Sequence, residues 1–143
     1  MLIRNCAGGV VFHENKVLIL KNEKGEWIFP KGVIRNGDFP DNVAVNRVSI
    51  EAGVNAEIIG SSGRTNYEFY SVTRQRPVCN KIVWYVMKTQ NEDCIPNKEQ
   101  NFIDGGFYPV EDALEMITYS QDKSLLMLSF QKYKEDITSK GKS

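Results

Sequence analysis

Cysteine is scarce in this sequence and never stands in a CxxC pair. The three thiols, Cys6, Cys79 and Cys94, are far apart, so the common motif-based zinc and dithiol-redox readings fall away. Cys6 and Cys79 lie in or beside apolar stretches and read as reduced thiols of a cytoplasmic protein. Histidine is rarer still. His13 is the only one, it sits at an expected turn, and no catalytic role is assigned to it. Excess charge is absent, with 18 basic and 18 acidic residues. That argues against a nucleic-acid binder with a broad basic surface, while a local basic pocket stays open. No run approaches the ~20 apolar residues of a membrane-spanning helix. The opening Met1-Leu2-Ile3-Arg4-Asn5 also lacks the basic-then-apolar order of a signal peptide. The expectation is a soluble cytoplasmic protein without membrane or extended nucleic-acid partners; nothing speaks to its oligomeric state.

What is present is ordinary globular material. Hydrophobic residues make up 41% and charged residues 25% of 143 positions, enough for one domain burying roughly two-thirds of its unfolded surface. A single domain is expected over residues 1–137, with a polar, frayed tail at 138–143. Cys6–Phe12 and Lys16–Leu20 read as a hairpin across His13-Glu14-Asn15, followed by a turn at Glu23-Lys24-Gly25 and a short Trp27–Phe29 strand. From Pro40 the period becomes helical, with Val43, Ala44, Val48 and Ala52 on one face. Asp38 or Asp41 is available as N-cap, and Gly53 as the stop. Strands are expected at Asn55–Gly60, Tyr67–Val72 and Lys81–Lys88, the last central because it is rich in β-branched and aromatic residues. Thr89–Gln100 reads as a loop, and Phe102–Tyr108 as a strand interrupted at Gly105-Gly106. Val110–Ile117 and Ser120–Tyr133 read as helices. This order makes a mixed α+β sandwich.

The chemistry concentrates between Gly32 and Val54. Trp27-Ile28-Phe29-Pro30-Lys31-Gly32 and Gly37-Asp38-Phe39-Pro40-Asp41 lead into a helix ending at Glu51-Ala52-Gly53-Val54. This layout resembles the Nudix box, G-x5-E-x7-R-E-U-x-E-E-x-G-U, where U is a bulky aliphatic residue. In register, Gly32, Val48, Glu51, Gly53 and Val54 match, and Asp38 stands for the first Glu. Asn46, Arg47 and Ile50 stand where the motif has Arg, Glu and Glu. Ala7-Gly8-Gly9-Val10-Val11, Phe29-Pro30-Lys31-Gly32, Tyr67-Glu68-Phe69-Tyr70, Lys81–Met87 and Phe107–Ala113 extend the resemblance over about residues 6–130. The subgroup evoked hydrolyses diadenosine and diphosphoinositol polyphosphates. The resemblance implies an α/β/α sandwich with a mixed central sheet and the box as loop–helix–loop. It also implies box glutamates that bind Mg or Mn and serve the attacking water.

Carboxylates at i, i+3 and i+4 share a helix face, and here that face reads Arg47, Ile50, Glu51. Glu51 alone carries over as metal ligand and residual catalytic residue; Asp38, Glu99 and Asp104 are weak candidates to join it. Arg47 can pair with Glu51 four residues on, contact a phosphate as a fixed cation, or do both. Gly32 and Gly37 suit close approach of a pyrophosphate or plain turn geometry, and Lys31 suits phosphate or solvent. The resemblance adds Tyr67 and Lys81 as cleft residues. Strand alternation puts Tyr67 with Phe69 and Glu68 with Tyr70, and at least one pair is expected in the core, with Phe69 read as core packing. The leading expectation is a fold that binds a nucleoside polyphosphate or related diphosphate with hydrolysis weak or lost. An active Mg-dependent hydrolase of dinucleoside polyphosphates is the alternative, and a ligand-free scaffold the third. Mg or Mn belongs only to the active form.

Overall fold

Strand alternation carries the architecture of the computed structural model, which describes residues 1–141 and side chains as far as 139. Strands β1 (Leu2–His13) and β2 (Lys16–Asn22) join through a tight turn in which Glu14 has φ 54°. They pair only where they join, Phe12 with Val17 and His13 with Lys16. Beyond that point β1 takes two new neighbours. One is β6 (Arg76–Lys88), parallel along Leu2–Phe12; the other is the short β4 (Lys31–Val33), antiparallel at Cys6–Gly8. Strand β2 pairs with β3 (Trp27–Ile28) and with β7 (Phe102–Pro109), both antiparallel. Strand β5 (Glu57–Ser71) completes the seven-stranded mixed sheet on the far side of β6.

Alternate residues of β1 supply two cores. Cys6, Val10 and Phe12 join Val17, Ile19, Ile82, Trp84 and Val86 under helices α2 (Val110–Met116) and α3 (Ser120–Gly141). Ala7 and Val11 join Leu18, Leu20 and Met87 against Val43, Ala44, Val48 and Ala52 of helix α1 (Pro40–Ala52). The molecule is therefore an α+β sandwich with helices on both faces of a mixed sheet. Close backbone approach sets the spacing near β1. A Cβ on Gly8 would lie 2.4 Å from the Trp84 ring and 2.6 Å from the Pro30 carbonyl oxygen. Gly8→Ala should therefore cost about 1–3 kcal/mol through overpacking. Its denaturant midpoint will fall with unchanged slope; an unchanged midpoint would show that Trp84 shifts freely.

Several sequence expectations need correction. The N-cap of α1 is neither Asp38 nor Asp41 but Phe39, with extended backbone and no side-chain cap. Pro40 starts the helix, and Asp41 lies in its first turn, where the helix dipole favours an anion. Gly53 does close the helix, at φ 67°, with its N–H bonded to Ser49 O at 2.9 Å. The two strands expected between Asn55 and Val72 are one long β5, because register shifts at Ile58/Gly60 and Ser61/Arg64 absorb its polar middle without ending the pairing. Gly105-Gly106 does not interrupt β7 either. A Cβ on Gly105 would lie 2.5 Å from the Leu20 side chain, so the missing side chain serves strand packing. The expected Trp27–Phe29 strand ends at Ile28, and β4 was not anticipated. Helix α3 continues past Tyr133 to Gly141, so 138–141 of the expected tail lie within it; residues 142–143 are outside the described residues.

Candidate functional site

Helix α1 holds Glu51 inward, leaving it only 5% exposed. Both carboxylate oxygens are engaged. Oε1 accepts from the Lys31 backbone N–H at 3.3 Å, and Oε2 accepts from Arg47 Nε at 3.1 Å and Nη2 at 2.6 Å. The i,i+4 pairing of Arg47 with Glu51 is therefore present, but it draws on a buried carboxylate, unlike the exposed helix pair that spacing alone implies. Burial pushes the Glu51 carboxyl above its ordinary range, against the opposing pull of Arg47 and Lys31. Gly32 makes the arrangement fit: a Cβ there would lie 2.4–2.7 Å from three atoms of the Arg47 side chain. Arg47 Nη2 also donates to Gln100 Oε1 at 2.9 Å. The Nη1 group makes no hydrogen bond to the protein among the described residues. It belongs to a side chain lining an open groove of about 390 Å³ together with Gly32, Arg35, Asp38 and Asn46.

On the other face of the sheet, under the start of α3, lies a cleft of about 270 Å³. Tyr67 and Phe69 form one wall, stacked at 5.5 Å between ring centroids, while Phe29 and Trp84 form an edge-to-face pair at 5.8 Å on the lining. The Trp84 indole N–H is satisfied by Thr65 Oγ1 at 2.8 Å. Polar groups also line the cleft. The Tyr119 hydroxyl donates to Glu26 and lies 3.1 Å from the Tyr67 hydroxyl, while Asn22 holds the other Glu26 oxygen at 2.9 Å. Asp122 sits in the first turn of α3, where burial pushes its carboxyl up to about 6 despite the Lys31 charge. Lys31 belongs to both regions. Its side chain lines the cleft, while its backbone N–H holds Glu51.

The residues singled out from sequence thus divide into groups. Lys31 and Tyr67 meet in the cleft, and Gly32, Arg47 and Glu51 meet at the box helix. Lys81 does not join Tyr67. It is exposed on β6 between Asn80 and Ile82, which face the cleft, so alternation turns it to the other side of the sheet. Asp38 braces its own turn by accepting from the Arg35 N–H at 3.2 Å. Asp104 accepts from the adjacent Gly105 N–H at 2.8 Å in β7, and Glu99 is exposed in the single turn Lys98–Gln100. Among the described residues no three His, Cys, Asp or Glu side chains gather as a metal site. Tyr67 and Phe69 are half-buried cleft residues and Tyr70 is exposed, so neither alternating pair is core. Sequence reasoning missed Gln100, Glu26, Tyr119 and Asp122. Gln100 reaches Arg47 across 53 residues and Tyr119 reaches Glu26 across 93, while Asp122 comes near Lys31 only through the fold, and no local pattern signals these meetings.

The NUDIX domain model matches residues 2–128. MutT4 of Mycobacterium tuberculosis, a protein named as a mutator protein, is 23% identical over 99 residues, 69% of this chain. The chain spans about 39% of that relative's length. A C. elegans Ap4A hydrolase binary complex superposes with TM-score 0.68 at 18% identity, covering 93% of this chain and 98% of that one. The E. coli dihydroneopterin triphosphate pyrophosphohydrolase superposes with TM-score 0.70 at 12% identity, covering 88% and 95%. Such low identities establish the shared fold alone. Among the described residues no helix is long and apolar enough to cross a membrane. With the family model spanning nearly all of it, from β1 into α3, the chain belongs to the NUDIX domain family.

Proposed function

We propose that this protein binds a nucleoside polyphosphate or a related diphosphate in its cytoplasmic setting. Its hydrolysis is weak or lost because Arg47 and Ile50 stand where the family motif carries glutamates. One observation carries the reading: Arg47 is tied to the only box-helix carboxylate on that face, yet keeps Nη1 unpartnered beside a groove shared with Arg35. A guanidinium held on one side and free on the other is pre-oriented for a phosphate oxygen. The aromatic cleft would take the base, and Lys31 and Arg47 would hold the phosphates on either side of β4.

Divalent metal is general in this family, but the donors here do not fit it. Both Glu51 oxygens already accept hydrogen bonds, a cation occupies position 47, and Ile50 is apolar and 44% exposed. Mg takes octahedral oxygen sets, which one engaged carboxylate does not supply. The alternative, an active Mg- or Mn-dependent hydrolase of dinucleoside polyphosphates, is favoured by near-complete mutual coverage with the C. elegans protein named an Ap4A hydrolase. Calorimetric titration with Ap4A and ATP, run beside a product assay with and without Mg, separates the two. The expected result is binding that Arg47→Ala weakens about tenfold, without metal-dependent product. Metal-dependent product that vanishes in Glu51→Gln would install the alternative instead.

A further inference from the structure

The hydrogen bonds at Glu26 have a fixed direction. Tyr119 gives its only hydroxyl proton to Glu26, so its oxygen is left as an acceptor. The Tyr67 hydroxyl, 3.1 Å away, must then donate to Tyr119, and its own oxygen keeps lone pairs but no proton for a guest. Glu26 anchors the sequence because a carboxylate only accepts, and its second oxygen is taken by Asn22 at 2.9 Å. The Tyr119 bond holds the Glu26 carboxyl below its ordinary range, while burial and Glu26 hold the Tyr119 hydroxyl protonated. The ring of Tyr67 is meanwhile fixed by stacking on Phe69 and by an edge contact with Tyr119 at 5.1 Å.

We propose that the chain Tyr67→Tyr119→Glu26 determines base specificity, selecting a nucleobase that presents an exocyclic amino group over one that presents a carbonyl. This rests on the reading of the cleft as a nucleotide site. An amino group meets a lone pair at Tyr67, whereas a carbonyl oxygen meets oxygen against oxygen. A site that rejects by leaving polar groups unpaired discriminates more sharply than one relying on contact area. Glu26 acts as a positioning residue, since it sets the direction of a hydroxyl that it does not touch.

The test compares ATP with ITP, which differ at this point by amino against carbonyl, by calorimetry in metal-free buffer. The unaltered protein should bind ATP about tenfold more tightly, the worth of one well-placed hydrogen bond. Glu26→Gln should reverse the chain. Asn22 keeps the amide oxygen on its side, the amide N–H₂ then donates to Tyr119, and the freed Tyr67 proton can meet a carbonyl. The ATP-to-ITP ratio should fall to one or below, which mere loosening of the cleft would not produce. Tyr67→Phe, which keeps the stacked ring, should bring the ratio to about one. Equal binding of ATP and ITP by the unaltered protein, or an unchanged ratio in Glu26→Gln, overturns this inference and leaves the nucleotide reading standing. Absence of binding by either nucleotide overturns both.

Discussion

Replacing Arg47 and Ile50 together by glutamate is expected to raise Mg-dependent turnover of Ap4A by about a hundredfold to a thousandfold or more. The substitution puts carboxylates at i, i+3 and i+4 on the face of α1 that already holds Glu51, and it removes the guanidinium that engages Glu51 Oε2. It also has a signature independent of catalysis. Losing the Arg47 pair and adding like charges beside a buried carboxylate lowers Tm without metal. Added Mg should recover it, because a ligand bound by the native state stabilises that state. Arg47→Met is the control: it frees Glu51 but adds no ligand, so turnover should stay at background. A double variant that is stabilised by Mg yet gains no turnover would overturn the proposal that Arg47 and Ile50 limit hydrolysis.

Asp122→Asn is expected to stabilise the protein at pH 7 and above, and to bring no gain near pH 4. The Asp122 carboxyl is held at about 6 against an ordinary 3.8, with burial the main cause. The native state therefore binds the proton more tightly than the unfolded chain does. Stability is fully present below about pH 4 and declines as pH rises through about 6. That difference is worth on the order of 3 kcal/mol at pH 7. The Lys31 charge and a place in the first turn of α3 offset part of the burial cost but do not cancel it. Glu51 is shifted in the same direction and Glu26 in the opposite one, so the absolute pH curve mixes all three. The difference between parent and Asp122→Asn isolates Asp122. Urea midpoints across pH 4–8 check it: curves running parallel would show that Asp122 is solvated in the native state. A carboxylate retained in the cleft at this cost is consistent with service to a ligand, where function tolerates lost stability.

Much of the fold was legible because its signals are local. Helix α1 follows from apolar spacing over Val43–Ala52 with Pro40 at its start and Gly53 at its end, and the composition of Lys81–Lys88 marks a central strand. Strand continuity was not legible, since Gly105-Gly106 and the polar middle of β5 read as breaks until partner strands are seen to hold them. The site was legible only where it is contiguous. Arg47 and Glu51 are one helical turn apart, and their pairing could be anticipated. Gln100, which completes the grip on Arg47, lies 53 residues away.

By itself, the sequence pointed to the sandwich, to the helix that carries the box and, through the resemblance, to Arg47 and Ile50 at positions where the motif has glutamates. Each of these depends on the order and spacing of neighbouring residues. The tertiary structure alone decided that Glu51 is buried with both oxygens engaged, that Lys81 turns away from the cleft, and that Tyr67, Tyr119 and Glu26 form one directed chain. The reason is physical: hydrogen-bond direction and desolvation depend on groups brought together from distant elements, and no local periodicity encodes that meeting.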